Sequence, residues 1–411
     1  MKTFAYSGRR SFLKTSAAGA ASLALGGIVT RSSHAAWTEA MPINPAVPND
    51  RVVCCHDNLM CPWGKECDGN DTWDCSHNET NFPATMDHSF VEQNDLLDSA
   101  RMRANMDAMA MSLTGKPDAA RAWPALFMKP ETKSWDQVKV AVKLDANANN
   151  VPHIPVVGKV CEELIAVGVL PGNIILYDGE AYAWNSETSK VESSVEFYYK
   201  QYVGNGLPDG IVISRFFDAL GGTVMTGIPE PFEGSFPCAA AIADGTVDIL
   251  INMACDKAHG TVFGGASFCL KNHVGGTFLR QFTQKGLRKE AFNLYEWTRY
   301  QIAVNKSDAI LGGTPPRQQL CIIDAIWGNH CCGPMGFHHG PGGQDLQPNR
   351  LIMGTFAPLV DIAAINLLPS SHTKDYFPVD QKDKPIVMAY LTEFGYPESM
   401  RDLGFLMVPP A

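Results

Sequence analysis

"VKVAVKLDANANN", residues 138–150, is an apolar, β-branched run that stops abruptly in a polar, asparagine-rich segment. Its length suits a single buried strand, and its ending suits a loop at a strand's carboxyl terminus. The same pattern returns in "NIILYDG" (173–179), "TVDILINMACDKAHG" (246–260), "QLCIIDAIWGN" (319–329) and "RLIMGTF" (350–356). Around these runs stand segments with helical spacing: "PVVGKVCEELIAVGV" (155–169), "VESSVEFYYKQYV" (191–203), "KEAFNLYEWTRYQIAVN" (289–305) and "PLVDIAAINLL" (358–368). Short apolar strands separated by helices predict an α/β chain, a mainly parallel sheet with helices on both faces.

Upstream, "RVVCCHD" (51–57) reads as a first strand, and "FVEQNDLLDSARMRANMDAMAMSLTG" (90–115) as helix with Gly115 as its stop. The stretch 180–246 is less regular and is expected to hold an inserted hairpin or subdomain. No internal repeat is seen, so residues 51–411 are read as one α/β domain.

The chain begins with an address. "SGRRSFLKTSAAGAASLALGG" carries the pair Arg9–Arg10, then Phe12–Leu13–Lys14 and a weakly apolar Ala/Gly-rich run, and "SSHA" offers small residues at Ser33 and Ala35 for cleavage. Residues 1–35 are therefore read as a twin-arginine signal peptide and 36–50 as a proline-containing linker, with the twin-arginine translocation machinery as a partner. The leader holds five basic residues and no acid, so its removal takes the formal net charge from −10 to −15. So acidic a mature chain is a poor partner for nucleic acid or anionic lipid. No later segment has the length and apolarity of a membrane span. A periplasmic or extracellular protein is expected, and the sequence leaves its oligomeric state open.

Twelve cysteines follow the leader. Five of them (Cys54, Cys55, Cys61, Cys67 and Cys75) crowd the stretch 54–77 with His56 and His77, which suits either disulfides in an oxidising compartment or a metal. The absence of C-x-x-C-H and of C-x-x-C-x-x-C argues against covalent haem and a ferredoxin-type cluster.

Ligands of open α/β sheets bind beyond the carboxyl ends of the strands. Those ends carry Lys143 and Asp145, then Asp178, then Cys255, Asp256, Lys257 and His259, then Asp324. Lys257, His259, Lys271 and His273 flank the glycine-rich "GTVFGGASFC" (260–269), where Gly264 and Gly265 allow close backbone approach to an anion. Lysine there can supply positive charge or a covalent attachment point, histidine can transfer protons, and a carboxylate can orient the imidazole. The expected catalytic set is Lys143, Asp178, Lys257, His259, Lys271, His273 and Asp324, converging on one pocket. Gly264, Gly265 and Lys271 are expected to bind a cofactor. Asp361, in "PLVDIAAINLL", suits pairing with a site lysine, packing or capping.

Just past the fourth of these strand ends, "WGNHCCGPMGFHHGPGG" (327–343) gathers His330, Cys331, Cys332, His338 and His339 among glycines. Imidazole and thiolate together suit a transition metal such as zinc, nickel, iron or copper, and a disulfide from Cys331 or Cys332 is the competing reading.

Taken in order, "VAVKLDANAN", "NIILYDG", "DILINMACDKAHG", "ASFCLKNHVGG", "LCIIDAIWGN" and "LIMGTFAPLVDIAAINLL" resemble the successive blocks of the family catalogued as domain of unknown function 362, in its twin-arginine-exported branch. The resemblance covers about residues 137–370 and implies a fold class and a site location more than a reaction. The chain departs from the pattern at Asp145, where an asparagine is expected, and at the ligand-rich 330–339 segment. A single further block, "HGTVFGGASFCLKNHVGG" (259–276), is similar to the His/Gly-Gly/Lys stretch of the lactate-racemase family, whose lysine and histidines hold a nickel-pincer nucleotide.

No P-loop, G-x-G-x-x-G after a strand, G-x-S-x-G elbow or H-E-x-x-H occurs, which argues against kinases, Rossmann dehydrogenases, serine hydrolases and zincins. The expectation is an exported metal- or cofactor-dependent enzyme acting on a small anion by isomerase-like or redox chemistry. A non-catalytic metal-binding or electron-transfer partner and a disulfide-stapled binding module are the alternatives.

Overall fold

The computed structural model describes residues 43–61, 90–146, 151–179, 182–185, 190–232, 234–258, 266–279, 294–329, 348–367 and 385–411. All of them belong to one compact unit, His34–Ala411. Its strands are β1 (Val53–His56), β2 (Val140–Leu144), β3 (Ile174–Tyr177), β4 (Tyr182–Asn185), β5 (Lys190–Ser193), β6 (Val212–Ile213), β7 (Thr223–Ile228), β8 (Gly234–Ala239), β9 (Ile249–Ala258), β10 (Ala266–Ser267), β11 (Gln318–Asn329), β12 (Arg350–Gly354) and β13 (Leu406–Val408). Its helices are α1 (Phe90–Asp95), α2 (Ser99–Thr114), α3 (Ala119–Leu126), α4 (Ile154–Ala166), α5 (Ser194–Tyr199), α6 (Ala240–Ala243), α7 (Cys269–Asn272), α8 (Leu294–Asn305), α9 (Asp308–Leu311), α10 (Ala357–Leu367) and α11 (Pro385–Glu393).

The expected α/β architecture is present. The main sheet runs β13-β1-β12-β11-β9-β2-β3-β6, and the short β10 pairs with β9. β11, β9, β2, β3 and β6 are mutually parallel, while β12 runs antiparallel to both β11 and β1. "RLIMGTF" is thus a strand, as its composition predicts, but reversed. It starts at the edge where β11 ends, so it returns alongside β11 without a crossover.

Strand alternation sorts the side chains into two cores, one on each face. Val140, Val142 and Leu144 of β2 join Ile249, Ile251 and Met253 of β9 under α2 and α4. Ala141, Leu250 and Ala254 face the other way, with Phe268, Ile302 and Val360 from the α7, α8 and α10 side. Burial on both faces explains why these strands read as unbroken apolar runs.

The segment 90–115 is two helices, not one. Asp98 interrupts it, and its carboxylate accepts the Arg101 N–H at 2.9 Å to cap α2. Gly115 closes α2 in the left-handed region (φ 69°), as the sequence suggests, donating its N–H to the Met111 carbonyl. Between 180 and 246 two hairpins form, β4–β5 and β7–β8, yet β6 between them rejoins the main sheet beside β3.

From β2 the chain crosses through α4 to β3, and later to β6, on one flank. β9 takes the other flank of β2, with β11 beyond it. The direction of winding therefore reverses between β2 and β9, and that point is where open α/β sheets leave a crevice at their carboxyl edge.

Candidate functional site

Lys143 and Asn252 are register partners on β2 and β9, and both turn toward α7. The Lys143 ammonium donates to the Leu144 carbonyl (2.6 Å), to Asn272 Oδ1 (2.8 Å) and to Asp178 Oδ1 (3.1 Å). An ammonium has three protons, and these three acceptors use them all. Asp178, just past β3, also accepts the Ala146 N–H at 3.0 Å. Burial pushes the Lys143 amine down and the Asp178 carboxyl up, each against the attraction of the other. Gly276 lies directly over the pair, since a Cβ there would sit 1.8 Å from Lys143 Cε and 2.8 Å from Asp178 Oδ1. Its carbonyl accepts the Gly179 N–H at 3.0 Å, which fixes that close approach.

A second buried pair spans the switch point itself. Lys257 Nζ lies 2.9 Å from Asp145 Oδ1 and 3.3 Å from the Asp145 carbonyl, linking the ends of β9 and β2. Asp145 is further held by its N–H on the Met253 carbonyl. Its other carboxylate oxygen, Oδ2, is buried and has no hydrogen-bond partner among the described residues. Asp256, the neighbour of Lys257, is fully buried beneath Gly328, where a Cβ would meet its Oδ2 at 2.5 Å.

His273 has a different setting. Its ring is completely buried, with Nδ1 2.9 Å from Thr277 Oγ1 and Nε2 2.5 Å from Gln318 Oε1. Thr277 Oγ1 in turn lies 2.7 Å from the Tyr177 hydroxyl. Asn252 Nδ2 also lies 3.0 Å from Nε2, so that nitrogen stands between an amide oxygen and an amide N–H. Burial lowers the ring to about 3, opposed by the Gln318 bond, so the imidazole stays neutral. Both nitrogens are occupied, and the ring pins the loop after α7 to β3 and β11. Lys271, two residues earlier, is buried in the last turn of α7. Asn272 ties the same helix to β9 through Asn252 Oδ1 (2.8 Å) and the Met253 carbonyl (3.0 Å).

Asp361 caps α7. Its two oxygens accept the Cys269 and Leu270 N–H groups at 3.0 and 2.9 Å. Burial raises its carboxyl to about 8 against those same bonds. Of the three roles open to it in the sequence, this is capping, and no lysine pairs with it among the described residues.

Asp324 does not join the Lys143 cluster. Along β11, Leu320, Ile322 and Ile326 belong to the α2/α4 core, and Asp324 follows their alternation. It therefore lies on the opposite face of the sheet from Lys143. Its Oδ2 accepts both the backbone N–H of His153 (2.8 Å) and that residue's Nδ1–H (2.9 Å), and its Oδ1 accepts from Ile326 at 3.2 Å. His153 directly precedes α4, with Nε2 3.3 Å from Gln93 Oε1 of α1. Sequence reasoning missed His153, Asn252 and Asn272. Position was the signal for two of them, since Asn272 stands between Lys271 and His273 and His153 at a helix start, whereas Asn252 lies within an apolar strand and carried none.

The structure thus brings together Lys143, Asp178 and, through Asp145, Lys257, with Lys271 and His273 on the adjoining α7 segment. It separates Asp324. His259, Gly264, Gly265, His330, Cys331, Cys332, His338 and His339 lie outside the described residues, as do Cys67 and Cys75. Of the described cysteines, Cys54, Cys55, Cys161, Cys238, Cys255, Cys269 and Cys321 are buried free thiols, and Cys61 is buried as well. Cys54 and Cys55 alternate on β1 into the two separate cores, which places them as packing residues there. Among the described residues no group of His, Cys, Asp or Glu side chains is arranged to hold a metal, and no helix is long and apolar enough to cross a membrane. No family model, curated protein or solved structure matches this chain.

Proposed function

We propose that this chain is an exported enzyme that takes a small anionic molecule at the β2/β9 switch point. The observation that carries the reading is the Lys257–Asp145 pair, buried across that switch point beside Asp256 and the sealed Lys143–Asp178 pair. Charges held out of water at a ligand crevice are costly to fold around and mark sites of function more often than ordinary surface does. In this reading Lys257 supplies positive charge to the anion. Lys143, with every proton committed, is a positioning residue that holds β2, β3 and α7 in register, and His273 positions the loop after α7. Export rests on Arg9–Arg10 and the run that follows. Membership of the domain of unknown function 362 family is supported by the order of the blocks between residues 137 and 370.

The test is a titration of the mature protein with a panel of small monocarboxylates, dicarboxylates and inorganic phosphate. Saturable binding of at least one, lost in Lys257→Met, is expected. A panel with no binder would defeat the reading. Replacing both Arg9 and Arg10 by lysine is expected to leave the precursor in the cytoplasm, and full periplasmic yield of that variant would remove the export assignment.

We also propose that His330, Cys331, Cys332, His338 and His339 supply ligands for a transition metal, zinc, nickel, iron or copper. The support is compositional: soft thiolate and imidazole donors crowded in one glycine-rich segment. Elemental analysis of natively exported protein should give at least one such metal per chain, largely lost in Cys331→Ser with His338→Ala. Cys331 and Cys332 both in disulfides, with no metal, would instead favour the disulfide reading.

A further inference from the structure

The main sheet is blunted at both edges. β13 is three residues long and runs straight into Pro409 and Pro410, and β6 at the opposite edge has two residues. Short strands and prolines are how folded chains keep sheet edges from pairing with other chains. β7, "TVMTGI", has six residues with neither a proline nor a charge among them. The pairing of β8 decides which way its backbone points. Ala239 gives its N–H to the Thr277 carbonyl (3.1 Å), and the Pro237 carbonyl accepts the Leu279 N–H (2.8 Å), so both residues turn away from β7. Their register partners Thr223 and Met225 are therefore in non-hydrogen-bonded pairs, and alternation makes Gly227, opposite Ser235, a third. The N–H and C=O groups of Thr223, Met225 and Gly227 thus point outward, and among the described residues nothing pairs with them. Val224 and Met225, on opposite faces of the strand, are 45% and 55% exposed.

We infer that β7 is the contact of a two-fold dimer, in which β7 of one copy pairs antiparallel with β7 of a second. The outward residues are evenly spaced about Met225. An axis through Met225 sets it against its own counterpart and Thr223 against Gly227, for about six backbone hydrogen bonds. Val224 then meets Thr226 across the axis, a β-branched pair. Charge selects this occupant. The chain carries a formal net charge of −10, so two copies repel in most approaches, whereas β7 against β7 sets no charge opposite a like charge. A charged partner segment, in turn, finds no opposite charge on β7 to recognise. The contact is continuous with the interior, because the far edge of β8 is bonded to residues 277–279, and Thr277 holds His273. One strand pair buries less than the roughly 1,200–2,000 Å² of a standard stable interface. The dimer is therefore weak, with a dissociation constant on the order of tens of micromolar.

The experiment is sedimentation velocity on the mature protein from about 1 to about 300 µM. The native chain should shift from monomer toward dimer across that range. Met225→Lys sets two ammonium groups opposite each other at the axis and should weaken the dimer about tenfold or more. Met225→Pro removes an N–H that β8 does not use and should weaken it as well, which gives a second variant should the lysine disturb folding. Leu406→Lys changes an equally exposed apolar residue on β13 (53% exposed) and should leave the dimer unchanged. A native chain that stays monomeric throughout overturns the inference, whatever other partner β7 takes. A dimer that survives both Met225 variants, or one that Leu406→Lys weakens as much, places the contact elsewhere and overturns it too.

Discussion

Lys143 Nζ lies 3.1 Å from Asp178 Oδ1, with both side chains sealed at the carboxyl edge of the sheet and the remaining ammonium protons on Asn272 and the Leu144 carbonyl. The pair joins β2 to β3 and, through Asn272, to α7. Its members depend on each other, because either one alone is a buried charge without a counter-charge.

Lys143→Met should therefore destabilise the protein by roughly 3–5 kcal/mol in urea unfolding. The double variant Lys143→Met with Asp178→Leu should recover most of that loss, since it removes the stranded carboxylate as well. A double variant no more stable than the single one would show that the pair's geometry, not its charge balance, holds the edge.

Gly276→Ala tests the contact above this pair. The new methyl would fall 2.3 Å from Lys143 Nζ, so either the ammonium or the loop must move. The expected cost is about 1–3 kcal/mol, read as a lower urea midpoint. An unchanged midpoint would mean that the loop yields freely.

His273 should make stability fall in acid. Its folded-state value of about 3 lies below the ordinary 6.5, so between those values the unfolded chain binds the extra proton. Stability from this residue is fully present above pH 6.5 and is lost as pH falls toward 3, at about 1.4 kcal/mol per pH unit. Asp361 acts in the opposite sense, because a carboxyl raised to about 8 favours the folded state most at low pH. His273→Asn should be less stable at neutral pH yet flatten the profile between pH 6 and 4. An unaltered slope would show that the ring does not titrate on unfolding.

Asp324 and Lys143 occupy opposite faces and, among the described residues, share no hydrogen-bond partner. Asp324→Asn, which removes an acceptor for His153, should cost about 1–3 kcal/mol. Its effect should add to that of Lys143→Met within about 0.5 kcal/mol. A larger coupling would mean that the two clusters communicate through the sheet.

The order of elements was legible in the sequence because each parallel strand is buried on both faces and so appears as a short apolar block with a polar stop. Those stops also marked Lys143, Asp145, Asp178, Lys257 and Asp324 as residues of one sheet edge. Only the tertiary structure decided their grouping. Side chains on a strand alternate with period two, and the face each takes depends on how neighbouring strands and helices pack. That is why Asp324 pairs with His153 beneath α1 and α4 while Lys143 meets Asp178 and Asn272 beneath α7. It is also why β12 reverses and why Asp98 splits a continuous helical pattern, since both follow from contacts distant in sequence or from a side chain competing for backbone N–H groups. Composition fixes which residues carry charge to the edge. Three-dimensional packing decides which of those charges are fully satisfied, as at Lys143, and which keep an unused bond, as at Asp145.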